Sequence, residues 1–267
     1  MKKLKNLFFT CVVTCVFAAI FTILTGCGGH ADATALASPT PTPSSPGSGG
    51  GTTPSNAVTI ANIQTQAGWE NCTACTGSAA AIYSMTEGIT APALSGSSAQ
   101  FQLLNGTQPF GGALWFKFLG AQNSATHFVY DLFFYIDNPA AAQAIEFNVS
   151  QSDGQNRYSF ATQCDLKGAK AWRVWNPIAG QWVASAVACA LPAAKTWNHL
   201  VWEFERDSAG NVIFTAVTVN GSRGAVNLSM AHTADTSNGI DIAYQSDADL
   251  NGTPYSVWLD KVSLTYW

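Results

Sequence analysis

His127-Phe-Val-Tyr-Asp-Leu-Phe-Phe-Tyr-Ile-Asp137 is the stretch on which the fold turns. Its even positions, Phe128, Tyr130, Leu132, Phe134 and Ile136, are all apolar or aromatic. Its odd positions, His127, Val129, Asp131, Phe133, Tyr135 and Asp137, are mixed and more polar. A β-strand turns successive side chains to opposite faces, so this period of two predicts a strand with one oily and one wetter face.

The pattern recurs along the chain. Ile145, Phe147 and Val149 alternate with Glu146, Asn148 and Ser150, and Leu200, Trp202 and Phe204 alternate with His199, Val201, Glu203 and Glu205. A last run, Tyr255 to Tyr266, sets Val257, Leu259, Val262 and Leu264 among polar neighbours. Turn residues separate the runs: Asn176 to Gly180, Asp207 to Asn211, and Asn220-Gly221, which is a type I′ hairpin signal. Amphipathic helical stretches are nearly missing, with at most one short turn expected over Asn138 to Gln143. About a dozen such strands predict an all-β fold, a two-sheet antiparallel β-sandwich rather than a small barrel.

Composition agrees with a well-filled core. Of 267 residues only 10% are charged while 47% are hydrophobic, and there are nine Trp. This excludes a disordered or collagen-like chain. The net charge of −4 excludes the basic footprint of a nucleic-acid-binding protein.

The N-terminus reads as an address. Lys2, Lys3 and Lys5 precede an apolar run from Leu7 to Leu24, the order of a secretory signal. The run is long enough to cross a bilayer, but it ends in Leu24-Thr25-Gly26-Cys27, which resembles the bacterial lipoprotein box. That resemblance implies cleavage of residues 1–26, acylation of Cys27 and, with Gly28 rather than Asp next, export to the outer membrane. Acyl chains would then make the membrane one partner of the protein. Residues 27–56, with Ala37 to Pro46 rich in Pro and a Gly-rich run after it, predict a tether. A single β-sandwich domain is expected over 57–267.

Thr196-Trp-Asn-His-Leu-Val-Trp-Glu-Phe204, followed by Val212 to Val219 and Asn220-Gly221, resembles the laminin-G-like pattern. Val257-Trp-Leu-Asp-Lys-Val262 is similar to the closing strand of many concanavalin A-like jelly rolls. The resemblance implies a sandwich whose concave sheet carries a ligand groove. It does not select a function, because lectins, glucanases and adhesion modules share the architecture.

Of seven Cys, Cys11 and Cys15 lie in the signal and Cys27 is the acylation site, which leaves Cys72, Cys75, Cys164 and Cys189. An even number in an exported chain predicts disulfides. Cys72–Cys75 with Cys164–Cys189 is the favoured pairing among three, because the first is a tight local loop and the second joins neighbouring strand runs. No cofactor is expected, apart from a structural Ca2+ suggested by Asp247-Ala-Asp249-Leu-Asn251-Gly252, which matches the start of a calcium loop. Trp258 stands at the twelfth position where such a loop has Glu.

The polar faces of the strands are where chemistry is expected. His127, Asp131 and Tyr135 share one side of a strand, as do Glu146 on the next and Glu203 on a later one. Trp172, Trp175 and Trp182 lie close together with Arg173. Exposed indoles stack on the apolar C–H face of a sugar, while carboxylates and amides hydrogen-bond its hydroxyls. These nine residues are the predicted ligand-binding set; Trp115, Trp197, Trp202 and Trp258 are assigned to the core. Glu203 and Glu205, with Cα atoms about 6.6 Å apart on one strand face, could instead serve as catalytic acids together with Asp131. Their spacing departs from the Glu-x-Asp-x-(x)-Glu of the glucanases that the fold resembles.

Three functions therefore stand at the level of sequence. The leading one is a lipid-anchored, extracytoplasmic, monomeric module that binds glycan without cleaving it. The others are a glycoside hydrolase or polysaccharide lyase, and a protein-binding or structural module of the cell envelope.

Overall fold

In the computed structural model, which describes residues 53–72, 75, 81–106 and 109–267, the deciding stretch forms β6 (His127–Ile136). Along it buried and half-buried side chains alternate without a break. The leader, Cys27 and the tether as far as residue 52 lie outside the described residues.

Strand β6 is central in an eight-stranded antiparallel sheet. Its order is β14 (Ser222–Met230), β13 (Val212–Val219), β12 (Trp197–Arg206), β6, β17 (Tyr255–Tyr266), β4 (Ser98–Gly106) and β3 (Ala81–Ile89), with β1 (Val58–Ile60) added on β17. The second sheet has nine strands. Its main order is β11 (Gln181–Ala188), β10 (Ala171–Asn176), β9 (Thr162–Asp165), β7 (Ala142–Asp153), β16 (Asn238–Ala248), β5 (Gly112–Gly120) and β2 (Glu70–Cys72). Beside β7 lies β8 (Asn156–Phe160), which pairs in turn with β15 (Thr233–Ala234). The result is the expected two-sheet sandwich, with seventeen strands among the described residues rather than about a dozen; the extra ones are short edge pieces. The Asn220-Gly221 hairpin joins β13 to β14 with Val219 opposite Ser222, and both central residues have positive φ, 49° and 82°. That is the backbone a type I′ turn requires.

The inward faces meet through aromatic rings. Phe134 of the first sheet lies 5.4 Å from Phe147 of the second, Phe128 lies 5.1 Å from Phe160, and Phe101 lies 5.2 Å from Trp115. Trp172 meets Trp202 edge-on at 5.4 Å. These tilted and T-shaped contacts are the arrangement aromatic quadrupoles favour. Disulfides join Cys72 to Cys75 and Cys164 to Cys189. Such bridges form in extracellular or exported compartments.

Two tryptophan assignments change. Trp115 and Trp202 are core, at 1% and 0% exposure. Trp197 and Trp258 are instead half-buried on the outward face of the first sheet, each packed against Tyr135. Each has the parity of the outward residues it pairs with: Trp197 and Trp258 both lie opposite Tyr135.

Phe147 is fully buried and touches Phe134, Trp172 and Tyr244. Phe147→Ala is expected to lower the unfolding free energy by about 3–5 kcal/mol, read from the shift in a denaturant midpoint. A shift under about 1 kcal/mol would mean that the two inward faces are not packed against each other there.

Candidate functional site

The outward face of the second sheet is where polar residues, aromatics and shape coincide. Cross-strand neighbours in a sheet project to the same side, so the register alone lists the rungs. Glu146 on β7 lies opposite Gln245 on β16 and Gln163 on β9, and Gln245 lies opposite Leu114 on β5. The next rung sets Asn148 against Ala243 and Phe116, and the one after sets Ser150 against Asp241 and Phe118. On the other flank Gln163 pairs with Arg173 and Trp175 with Trp182.

All of these residues except Gln163 and Arg173, which stand at its edge, line a trough of about 610 Å³, within the range of ordinary ligand clefts. Trp175 and Trp182 form one wall, with centroids 5.3 Å apart and planes at 63°. Leu114, Phe116 and Phe118 form the other, with Cys75 of the local disulfide beside them. Phe118 is 53% exposed. The floor is Glu146, Asn148, Ser150, Ala243 and Gln245, and Arg157, Ser159 and Asp241 also contribute.

The floor is tightly wired. Gln163 Nε2 donates to Glu146 Oε1 at 2.8 Å and to Asp247 Oδ2 at 3.2 Å. Gln245 Nε2 does the same, to Glu146 Oε1 at 3.0 Å and Asp247 Oδ1 at 2.8 Å. Asn148 Nδ2 donates to Glu146 Oε2 at 3.3 Å. Two carboxyls thus share two amide clamps. Arg173 donates to Gln163 Oε1 and lies 3.1 Å from Asp165 Oδ2, with its guanidinium 5.9 Å from the Trp182 ring centre.

Burial sets the proton affinities. It pushes Glu146 up to about 7, against the hydrogen bonds from Asn148 and Gln163 and the charge of Arg173. Asp247, fully buried, is raised well above the usual carboxylate range by burial and then by the negative charge of Glu146. Asp241 is pushed up to about 6 by burial, although Arg157 Nη2 stands 3.6 Å away.

The nine predicted ligand-binding residues do not share one surface. Glu146, Arg173, Trp175 and Trp182 come together on the second sheet: three line the trough, and Arg173 abuts it beside Trp182 and Gln163. His127, Asp131, Tyr135 and Glu203 lie on the outward face of the first sheet, across the core. Trp172 faces inward at 3% exposure; it lies three positions before Trp175 on one strand, an odd offset that sends the two to opposite sides. The candidate acids of the first sheet are already engaged. Arg223 Nε and Nη2 each donate to Glu203 at 2.8 Å, His199 Nε2 lies 2.7 Å from Asp131 Oδ1, and His127 Nε2 lies 3.9 Å from Glu205.

The predicted calcium ligands also divide. Asp247 turns to Gln163 and Gln245, while Asp249 Oδ2 meets Lys167 Nζ at 2.5 Å and accepts from Asn251 Nδ2 at 3.2 Å. Among the described residues, no group of three or more His, Cys, Asp or Glu is placed to hold a metal. Phe116, Phe118, Arg157, Gln163, Asp241 and Gln245 were missed as site residues. The signal was present as parity: Asp241, Ala243, Gln245 and Asp247 alternate with Ile240, Ile242, Tyr244 and Ser246.

The chain matches no protein-family model and no curated protein. Among solved structures it is similar to a conserved carbohydrate esterase from the Shiga toxin-encoding bacteriophage phi24B, at 16% identity and a TM-score of 0.47, over 79% of this chain and 99% of that one. It is similar to the endo-β-1,4-glucuronan lyase of the fungus Trichoderma reesei, at 12% identity and a TM-score of 0.48, over 77% and 94%. A third is the carbohydrate recognition domain of Emp47p, at 10% identity and a TM-score of 0.43, over 78% and 94%. The sandwich described here rests on its own strand pairing and not on these likenesses.

The buried carboxyls tie stability to pH. The folded protein keeps protons on Glu146, Asp241 and Asp247 that the unfolded chain releases nearer pH 4, so stability falls as pH rises from there through about 7. Asp235, held low by the Ser237 backbone and hydroxyl, titrates below this window. The unfolding free energy is expected to be lower at pH 8 than at pH 5, with Glu146 contributing on the order of 3 kcal/mol. Glu146→Gln should flatten the slope. Equilibrium unfolding across this range gives the answer, and a wild-type curve that rises with pH would contradict the buried protons.

Proposed function

We propose that this protein binds a glycan in the trough of the second sheet and does not cleave it. The observation that carries the reading is the pairing of an indole wall, Trp175 with Trp182, and a floor of amides, hydroxyls and carboxyls in one open cleft of ligand size. Indoles cover the apolar face of a sugar ring, and the floor offers partners to its hydroxyls.

Burial raises Glu146 to about 7 and Asp241 to about 6, into the range where a carboxyl can act as a general acid, and this favours catalysis. The surroundings of Glu146 argue for a structural role instead. Its oxygens accept from three side-chain amides, and Asp247, the carboxyl that shares two of those amides, is fully buried. Asp241 lies opposite Ser150, four residues along β7 from Glu146, or about 13 Å. Glycosidase carboxyl pairs stand about 5–9.5 Å apart.

Acyl chains on Cys27 would hold the chain to the membrane, with the Pro- and Gly-rich tether letting a monomeric sandwich stand clear of it and reach envelope or environmental glycan. Trp175→Ala is expected to weaken oligosaccharide binding at least tenfold, measured by calorimetry, and to leave the denaturant midpoint within the scatter of wild type. Equal affinity in the two proteins would remove the indole wall from the site. New reducing ends on prolonged incubation with a bound polysaccharide would show cleavage and replace this reading with that of a glycan-cleaving enzyme, hydrolase or lyase.

A further inference from the structure

We infer that the trough accepts a single uncharged glycan chain, in preference to a polyuronate or the face of a crystalline polysaccharide. This rests on the glycan-binding reading and adds the class of ligand, from charge and from shape.

Carboxyl groups outnumber guanidiniums around the trough. Glu146 and Asp241 line it, Glu70 of β2 shares its face opposite Phe116, and Asp165 and Asp235 flank it. Among the described residues, the cations facing it are Arg157 and Arg173, and each is committed. Arg157 Nη2 donates to Ser150 Oγ at 2.8 Å and lies 3.6 Å from Asp241, while its Nη1 lies 3.9 Å from Asp235. Arg173 bridges Asp165 and Gln163. Against those two guanidiniums stand the carboxyls of Glu146, Asp241, Glu70, Asp165 and Asp235, so acidic groups dominate this face. A uronate carboxylate would meet like charge there and would have to take a guanidinium from a carboxylate that already faces it. Sugar hydroxyls carry no such penalty, and carboxylates are good acceptors for them.

Shape excludes a flat ligand. Two indoles whose planes cross at 63° cannot both lie on one plane, and Phe118 stands on the opposite wall with more than half its surface exposed. A crystalline face is a plane wider than the trough, and it would rest on the rims without reaching Asn148 or Gln245. One chain can lie between the walls, with a ring against Trp175 or Trp182 and its hydroxyl edge on the floor.

The test is affinity electrophoresis of the full-length protein through gels containing soluble neutral polysaccharides (mixed-linkage glucan, arabinoxylan, galactomannan) or polyuronates (alginate, polygalacturonate). It is coupled to sedimentation with crystalline cellulose and chitin. Retardation by at least one neutral polymer is expected, with apparent affinity for either polyuronate at least tenfold weaker at pH 7 and no co-sedimentation above the blank. Stronger retardation by a polyuronate, or capture by a crystalline solid, would overturn the assignment of ligand class and leave glycan binding intact. No interaction with any of these polymers would overturn both.

Discussion

The constraint on which the structure depends is that β7 has to satisfy two environments with alternate residues. Ile145, Phe147 and Val149 are fully enclosed between the sheets, while Glu146, Asn148 and Ser150, one residue out of step, form the floor of the trough. Pairing with β16 runs from Asn238 opposite Asp153 to Ala248 opposite Ala142. A slip of one residue would send every side chain of β7 to the other face. Carboxyl and amide groups would then enter the aromatic core, and rings would be left in water. Core and site are therefore held by the same register.

The floor shows how a low-charge protein keeps acids at a buried surface. A carboxylate taken out of water is unstable unless it is neutralised or hydrogen-bonded. Here Gln163 and Gln245 each divide their donors between Glu146 and Asp247, and Arg173 adds positive charge from the flank. Burial still prevails, and the pair retains proton near neutrality. The network ties β7, β9 and β16 together by side chains as well as backbone. It gives a rigid base against which Trp175 and Trp182 are set.

Much of the fold was legible because parity is a local property. The alternation of β6, β7 and β12, the Asn220-Gly221 turn and the tight Cys72–Cys75 loop can be read from neighbouring residues. What cannot be read locally is which strand joins which sheet. Glu146 finds Gln245 across 99 residues, and nothing near either announces the other. The candidate residues were thus sorted correctly into outward and inward faces on most strands and then merged onto one surface. The fold divides them between two: His127, Asp131, Tyr135 and Glu203 belong to the sheet built on β6, while Glu146, Arg173, Trp175 and Trp182 belong to the sheet built on β7. Trp172 was legible and was overlooked, since its odd distance from Trp175 already opposed the two.

Among the described residues, the trough is where the outward indoles of Trp175 and Trp182, a row of hydrogen-bonding groups and a concave surface meet. On the other outward face Trp197 and Trp258 each pack against Tyr135, and Phe133 stacks on His199. The most direct measurement is the indole N–H spectrum of the nine tryptophans on titration with a soluble glycan that the protein retains. The resonances of Trp175 and Trp182 should move together and saturably, while those of Trp115, Trp172, Trp202, Trp197 and Trp258 stay in place. Movement confined to Trp197 and Trp258 would put the ligand on the opposite sheet and contradict the site described here.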